Sequence, residues 1–384
     1  MTTHRAIVDA LSTAAVRGES VVLATVVQIT GSSYGGVGTR MVVHVDGSTV
    51  GLVSGGCLES DLAEHAREVH ATGSANVVTY DTRADDDAAW GLGLGCNGLI
   101  DVLLEPLSPD DARRTSALLE HALSANTPSV VATVVQVVSP VEHFPSVGAH
   151  ALFASGRTET TGNWGDGAAL ASARANVEDA LAAGRGGFVR EYDRTRVAFE
   201  VVMPSVRLVI CGAGPDVIPL VRFATRLGWD VTVVDHRPVV DQHAARFPDA
   251  CVVDCPAADR LADEVPLTPR TAAVVMSHHF ARDAAYVQSL LSAGVAYVGV
   301  LGPRARTERM LADLAASDQV RTENSSTLFG PVGLDVGGDG PHAIALAIIA
   351  EVSAVTSGRG GGHLRDRNAP LHSSQSAVDA AAGI

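Results

Sequence analysis

The chemistry-bearing residues of this chain concentrate in a few short stretches. In Ser54-Gly55-Gly56-Cys57 a thiol stands where an apolar strand gives way to the helical spacing of Leu58–Val69. Unpaired N–H groups and the positive end of a helix favour anions there, a thiolate among them. Gly55 and Gly56 let a ligand approach bare backbone. Glu59 follows in the first turn, where its charge suits the same dipole. Upstream, Ser32-Ser33-Tyr34-Gly35-Gly36 offers hydroxyls and uncovered amides, and Arg40 offers a fork for phosphate. A second thiol, Cys96, lies between Gly95 and Asn97, in a loop that could fold over the same region. For each cysteine the alternative is a small buried residue.

Two glycine motifs compete for a dinucleotide role. Gly93-Leu-Gly95-Cys96-Asn97-Gly98 matches G-x-G-x-x-G letter for letter, but it follows an acidic loop and enters a strand, whereas the mechanism needs a strand before and a helix after. Gly212-Ala-Gly214-Pro-Asp-Val217 is the poorer match in the better place, between the strand Val206–Cys211 and an amphipathic helix, Val217–Leu227. Gly212 would make the tight turn, and Gly214 would admit a pyrophosphate to the helix end. Asp235 closes the next strand, where a carboxylate usually accepts ribose hydroxyls. The third glycine is missing and Pro215 removes an N–H, so a sheet that has lost its nucleotide stands as the alternative. His278, in Ser277-His278-His279, sits after the strand Ala272–Met276, where a parallel sheet presents ligand-contacting groups. No third ligand accompanies His279 and Asp283, so no metal is assigned.

These residues need elements to position them. The chain has 384 residues, 46% hydrophobic and 18% charged, enough for two or three compact units and too apolar for a disordered chain. Val21–Gln28, Thr39–Val45 and Ser48–Val53 read as strands, the last two joined through the hairpin dipeptide Asp46-Gly47, and Leu99–Leu104 reads as another. The pentapeptide Ala24-Thr-Val-Val-Gln28 recurs as Ala132-Thr-Val-Val-Gln136. This is either coincidence of strand composition or a duplication whose second copy kept the strand and lost the Ile29–Gly36 loop, with Val137–Pro140 in its place. From Val206 strands and helices alternate, the rhythm of a Rossmann-like, doubly wound parallel sheet. The predicted organisation is α/β: a mixed α+β unit over 1–200, a Rossmann-like unit over 205–356, and a flexible Gly-, Arg- and Ser-rich tail over 357–384. Residues 107–205 carry no clear pattern beyond that repeated strand.

Composition excludes several functions. The net charge of −15 argues against non-specific nucleic-acid binding. All 28 basic residues are arginine, which removes any Schiff-base or P-loop lysine. Five scattered cysteines suggest no disulfide or zinc framework, no 18-residue uncharged apolar run occurs, and no signal peptide is expected from the N-terminal residues. A cytoplasmic protein that does not enter membranes is expected.

The stretches Gly31–Met41, Gly51–Glu59 with its Ser-Gly-Gly-Cys-Leu-Glu block, and Gly93–Cys96 resemble the XdhC/CoxI family. Gly212-Ala-Gly-Pro215, Val275-Met-Ser-His278, Tyr297–Gly302 and Gly330–Asp335 are similar to its Rossmann-like domain; where the family commonly shows Thr-His-Asp, this chain has Ser277-His278-His279. The resemblance implies an accessory factor that binds molybdenum cofactor and assists its sulfuration. It would then deliver the cofactor to an apo molybdenum hydroxylase of the xanthine or carbon monoxide dehydrogenase type, with a cysteine desulfurase as a further partner. It implies roles for Cys57 and Cys96 at the molybdenum–dithiolene end or in handling sulfur, and for Ser32–Gly36, Arg40 and Gly55-Gly56 at the pterin and phosphate. A homodimer is also expected. The competing readings are an NAD(P)-dependent oxidoreductase built on Gly212, Gly214, Asp235 and His278, and an assembly factor that bridges proteins with neither cysteine reactive.

Overall fold

In the computed structural model the residues described are 3–31, 33–82, 98–137, 145–164, 167–183, 187–192, 195–237, 245–316 and 326–366. The chain divides into two compact units at Pro204/Ser205.

The N-terminal unit contains two five-stranded antiparallel sheets. The first has β1 (Val21–Gly31), β2 (Arg40–His44), β3 (Thr49–Gly51), β4 (Asn76–Asp81) and β5 (Gly98–Leu107), in the order β3-β2-β1-β5-β4. The second has β6 (Ser129–Val137), β7 (His150–Ala154), β8 (Arg157–Thr161), β9 (Phe188–Tyr192) and β10 (Thr195–Val202), in the order β8-β7-β6-β10-β9. The connectivity is the same. Each sheet is preceded by a helix, α1 (Thr3–Arg17) or α3 (Pro109–Ser124). Each carries helix between its third and fourth strands: α2 (Glu59–Thr72) in the first, and α4 (Ala168–Ala175) with α5 (Val177–Ala183) in the second.

Local chemistry accounts for several boundaries. Asp46 Oδ1 accepts from Ser48 N at 2.8 Å and Gly47 takes φ +84°, which closes the β2–β3 hairpin. Ser108 caps α3 by accepting from Asp111 N, and Pro109 occupies the first turn, where its missing N–H costs nothing.

The repeated pentapeptide occupies corresponding register positions. Leu23 lies opposite Glu105, and Thr25 opposite both Leu103 and Arg40. In the second sheet Val131 lies opposite Glu200, and Thr133 opposite both Ala198 and His150. The repetition extends past the strand into its loop. Gly38 N donates to Val26 O at 2.8 Å with φ +87°, and Gly148 N donates to Val134 O at 2.9 Å with φ +84°. What the second half lacks is the long excursion between its fourth and fifth strands: Asp81 to Gly98 in one, Tyr192 to Thr195 in the other.

The two sheets share a core. Ile7, Leu11 and Ala14 of α1 and Leu118, Leu119 and Ala122 of α3 pack with Leu23 and Val42 of one sheet and Val131 and Leu152 of the other. Full burial of each such Leu or Ile contributes about 1.5–3 kcal/mol. The outer faces are covered separately, by α2 on the first sheet and by α4 and α5 on the second, the latter around the fully buried Trp164. Among the described residues, carboxylates meet basic side chains across the two sheets at three places, one of them Asp101 of β5 with Arg196 of β10 at 4.0 Å. Arg40 of β2 binds Glu200 of β10, and His150 of β7 meets Glu105 of β5, with Nε2 and Oε1 3.0 Å apart.

The C-terminal unit has a six-stranded parallel sheet: β11 (Arg207–Cys211), β12 (Asp230–Asp235), β13 (Cys251–Asp254), β14 (Thr271–Val275), β15 (Tyr297–Val300) and β16 (Leu328–Phe329). Their order, β13-β12-β11-β14-β15-β16, is that of a Rossmann sheet, with its switch point between β11 and β14. Helices α6 (Val217–Arg226) and α9 (Pro341–Thr356) cover one face, and α7 (Phe280–Ser292) and α8 (Arg304–Ala316) the other. Burial on both faces explains why these strands read as unbroken apolar runs.

Replacing Arg40 by Met strands the Glu200 carboxylate in the core and should cost about 3–5 kcal/mol in urea unfolding. Burial pushes the Glu200 carboxyl up, but the Arg40 guanidinium outweighs it and holds the group below its ordinary value. A depressed folded value means the pair's contribution is full above about pH 4.3, where an unfolded Glu ionises, and is lost as pH falls through the folded value. The gap between wild type and an R40M/E200Q double variant should therefore narrow on acidification. A gap that widens towards acid contradicts this.

Candidate functional site

Three connections meet at one end of the first sheet. β1 ends there at Gly31, β2 begins at Arg40, β3 ends at Gly51, α2 begins at Glu59, β4 ends at Asp81 and β5 begins at Gly98. Antiparallel pairing places Gly31 opposite Gly98 and Asp81 opposite Leu99. The loops 33–39 and 52–58, and both flanks of 83–97, are thereby gathered around one sheet edge. Ser32, Gly93, Gly95 and Cys96 lie outside the described residues. The flanks of the segment that carries Cys96 are pinned together: Thr82 N and Oγ1 donate to Gly98 O at 2.8 and 2.7 Å, and Gly98 N donates back to Thr82 Oγ1 at 3.0 Å.

The Cys57 loop is held from beneath. Glu59 turns inward, accepting from Ser54 N at 2.8 Å, Val53 N at 3.2 Å and Ser54 Oγ at 2.6 Å. Ser54 Oγ in turn accepts from Cys57 N at 3.1 Å and Leu58 N at 3.0 Å. Partial burial pushes the Glu59 carboxyl up, but these hydrogen bonds hold it below its ordinary value, so it stays an acceptor at neutral pH. Glu59, expected at the ligand, is instead the post on which the loop is strung.

Above it, Gly55, Gly56 and Cys57 are exposed. Gly56 has φ +109° and open space where a side chain would project, while a Cβ on Gly55 would come 3.6 Å from the Tyr34 ring. Among the described residues the Gly55 and Gly56 amides donate to no protein group. Tyr34 is 63% exposed, and its loop is braced by Ser33 Oγ donating to Gly35 O and by Thr39 Oγ1 donating to Gly36 O. Free amides, an exposed thiol and an aromatic face therefore adjoin one another. Such a surface can hold an anionic group, a soft metal or sulfur centre, and a flat ring.

Arg40 does not join it. The side chain is buried, and its guanidinium donates to Glu200 at 3.0 and 2.6 Å and to Gly38 O at 2.9 Å. An arginine whose two terminal nitrogens are engaged in this way, inside the core, offers no fork to a phosphate. Glu200 comes from a segment without readable pattern, so the spacing of Arg40 gave no hint of its partner.

In the C-terminal unit the expected nucleotide groups satisfy one another. Gly212 takes φ +133°, and a Cβ there would lie 2.7 Å from Met276 O, so this glycine serves the close approach of β11 and β14. A Cβ on Gly214 would collide with Asp216 Oδ1, and Asp216 Oδ2 lies 2.8 Å from His278 Nε2. A carboxylate thus stands at the end of α6, where a pyrophosphate would need to come. His278, at φ +62° and 62% exposed on its side chain, faces that carboxylate. Asp235 is buried, and Arg237 binds both its oxygens through Nε and Nη2 at 2.8 Å while Arg237 N adds a third bond at 2.8 Å. Ser277 donates to the buried Asp283, which also pairs with Arg306 at 2.8 Å, and His279 caps α7. No group of three metal-ligating side chains occurs among the described residues.

Two measurements check this geometry. Native alkylation followed by peptide mapping should modify the exposed Cys57 and Cys251 and spare the buried Cys211 and Cys255, whose thiols burial pushes up. Comparable labelling of Cys211 would contradict the fold of its sheet. Burial pushes Asp235 up, but its bonds to Arg237 prevail and hold it at about 2. The stability lost in Asp235→Asn should be full above about pH 4 and fade as pH approaches that folded value.

Known proteins share both units. Residues 14–81 match the model described as "XdhC and CoxI family", and residues 208–352 that described as "XdhC Rossmann domain". A Bacillus subtilis protein, named as one of the probable subunits of xanthine dehydrogenase, is 31% identical over 87% of this chain and 92% of its own. The Escherichia coli molybdenum cofactor insertion chaperone PaoD is 25% identical over 92% of this chain and 88% of its own. A crystal structure described as a xanthine dehydrogenase from Bacillus halodurans superposes with a TM-score of 0.72 at 30% identity, over 94% of this chain and 97% of that one. The exposed Cys57 loop and the Rossmann sheet are therefore parts of a member of the XdhC/CoxI family.

Proposed function

We propose that the chain is a molybdenum cofactor chaperone: it binds the cofactor at the Tyr34/Gly55–Cys57 surface, assists its sulfuration, and delivers it to a molybdenum hydroxylase of the xanthine or carbon monoxide dehydrogenase type. The observation that carries this reading is the exposed Cys57 thiol beside the free amides of Gly55 and Gly56. The names of the Bacillus subtilis and Escherichia coli relatives support the same class of role.

The donor set fits the cargo. Molybdopterin is anionic, carries soft sulfur at its dithiolene, and has a flat ring system; when bound it presents a molybdenum centre open to exchange of a sulfur ligand. The Gly55 and Gly56 amides suit the anion, the Tyr34 face suits the ring, and the Cys57 sulfur suits the metal–sulfur end. Glu59 holds the loop open through Ser54 and takes no direct part. A net charge of −15 does not forbid an anionic cargo, since exposed charges beyond about 8 Å are screened at physiological salt. Cys96 is proposed as a second sulfur-handling group, a cysteine desulfurase as sulfur donor, and a homodimer as the working assembly. An NAD(P)-dependent oxidoreductase is the weaker reading, because Asp216 and Asp235 stand engaged where a dinucleotide would place its phosphates and ribose.

Anaerobic purification from a molybdate-fed host, with metal and pterin analysis, tests the proposal. Near-stoichiometric pterin and molybdenum are expected on the wild type, with a loss of about tenfold in Cys57→Ala, roughly the worth of one good ligand contact. Tight NAD(P) binding without pterin would overturn it.

A further inference from the structure

The loop that carries Tyr34 and Gly35 belongs to the first sheet, yet it rests on residues of the second. A Cβ on Gly38 would fall inside the Glu200 carboxyl group, so the backbone of Gly38 sits directly on that side chain. Arg40 ties the two together, donating to Gly38 O and to both Glu200 oxygens. Beside them a Cβ on Gly187 would meet Val37 at 2.7 Å, so the start of β9 closes against the same loop. Gly38 N and Thr39 O bond to Val26, which fixes the stem to β1. Floor, tie and flank all come from the second sheet or point to it.

The corresponding place in the second sheet is built differently. There Gly148 packs over Glu105, with a Cβ 2.9 Å from Glu105 Oε1, and the partner of that carboxylate is His150, whose ring is also bound to Thr133. Arginine, with its bidentate grip and an additional bond to the loop carbonyl, occurs only on the side where the loop adjoins an exposed thiol.

We propose that Glu200 is a positioning residue for the cofactor surface: acting through Arg40 and Gly38, it fixes the 33–38 loop at the height where Tyr34 overlies Gly55. The second sheet is thereby the platform of a site whose ligand-facing groups all belong to the first. This rests on the proposed cofactor reading for what the loop contacts, while the positioning of the loop stands on geometry alone.

Amide hydrogen exchange on full-length Glu200→Gln separates these. Exchange in the peptide spanning 33–39 should accelerate about tenfold more than in peptides of β6 or α1, because the loop loses its seat while the core keeps its packing. In parallel, retention of molybdenum cofactor, released anaerobically from a purified molybdoenzyme and read by pterin fluorescence after gel filtration, should fall by a similar factor. Glu200→Asp, which keeps the charge, should recover part of both. Equal acceleration of loop and core peptides, or an unchanged loop, overturns the proposal. Should Glu200→Gln fail to fold, Arg40→Lys, which keeps the charge and removes the fork, is judged by the same two criteria. A wild type that retains no cofactor refutes the functional reading, and the exchange data still decide whether Glu200 seats the loop.

Discussion

The N-terminal unit turns on a guanidinium that never reaches solvent. Arg40 leaves β2 at the root of the exposed loop and is consumed by Glu200 of the opposite sheet and by the carbonyl of Gly38. Burying these charges is tolerable because they pair with one another through two hydrogen bonds; either alone would be strongly destabilising. The contact therefore cannot be lost piecemeal. It makes the position of a surface loop depend on the mutual docking of two sheets whose shared apolar core supplies the bulk of the driving force. The His150–Glu105 contact crosses in the opposite direction and completes the reciprocal arrangement.

The two ends of the chain handle polar groups in opposite ways. In the Rossmann-like unit, Asp235, at the place where such a fold offers a carboxylate to a ribose, is paired with Arg237, while Asp283 pairs with Arg306 and Asp216 lies against His278. In the loop before α2, backbone donors and a thiol are left open while the one nearby carboxylate, Glu59, is drawn beneath them. A ligand-binding surface needs unsatisfied groups facing outward and satisfied ones supporting them, and among the described residues the loop before α2 has both.

Much of this was legible in order along the chain. Asp46-Gly47 marks its hairpin, and the alternation after Val206 marks a parallel sheet in which the expected strands Val206–Cys211 and Ala272–Met276 lie within one residue of Arg207–Cys211 and Thr271–Val275. The strand that follows Gly93–Asn97 is real, which is why a literal G-x-G-x-x-G there was a poor nucleotide loop. Residues 107–205 were opaque, although they hold a whole second sheet. Only five consecutive residues are identical between the first strands of the two sheets, and a sheet tolerates almost any apolar substitution that preserves its alternation. Arg40 and Asp235 were misjudged for a related cause: each looked like a free ligand group, and each is matched by a residue that local pattern does not single out, Glu200 at 160 positions' remove and Arg237 only two positions on.

The amino-acid sequence by itself determined the class of elements and the place of the glycine turns and of the thiol block, since backbone conformational freedom and hydrophobic period are properties of neighbouring residues, whereas the exposure of Cys57 is a result of folding. The tertiary structure alone decided which charged groups are free and which are spent. Whether a carboxylate or guanidinium faces water depends on partners brought together by folding, and their distance along the chain carries no trace of their distance in space.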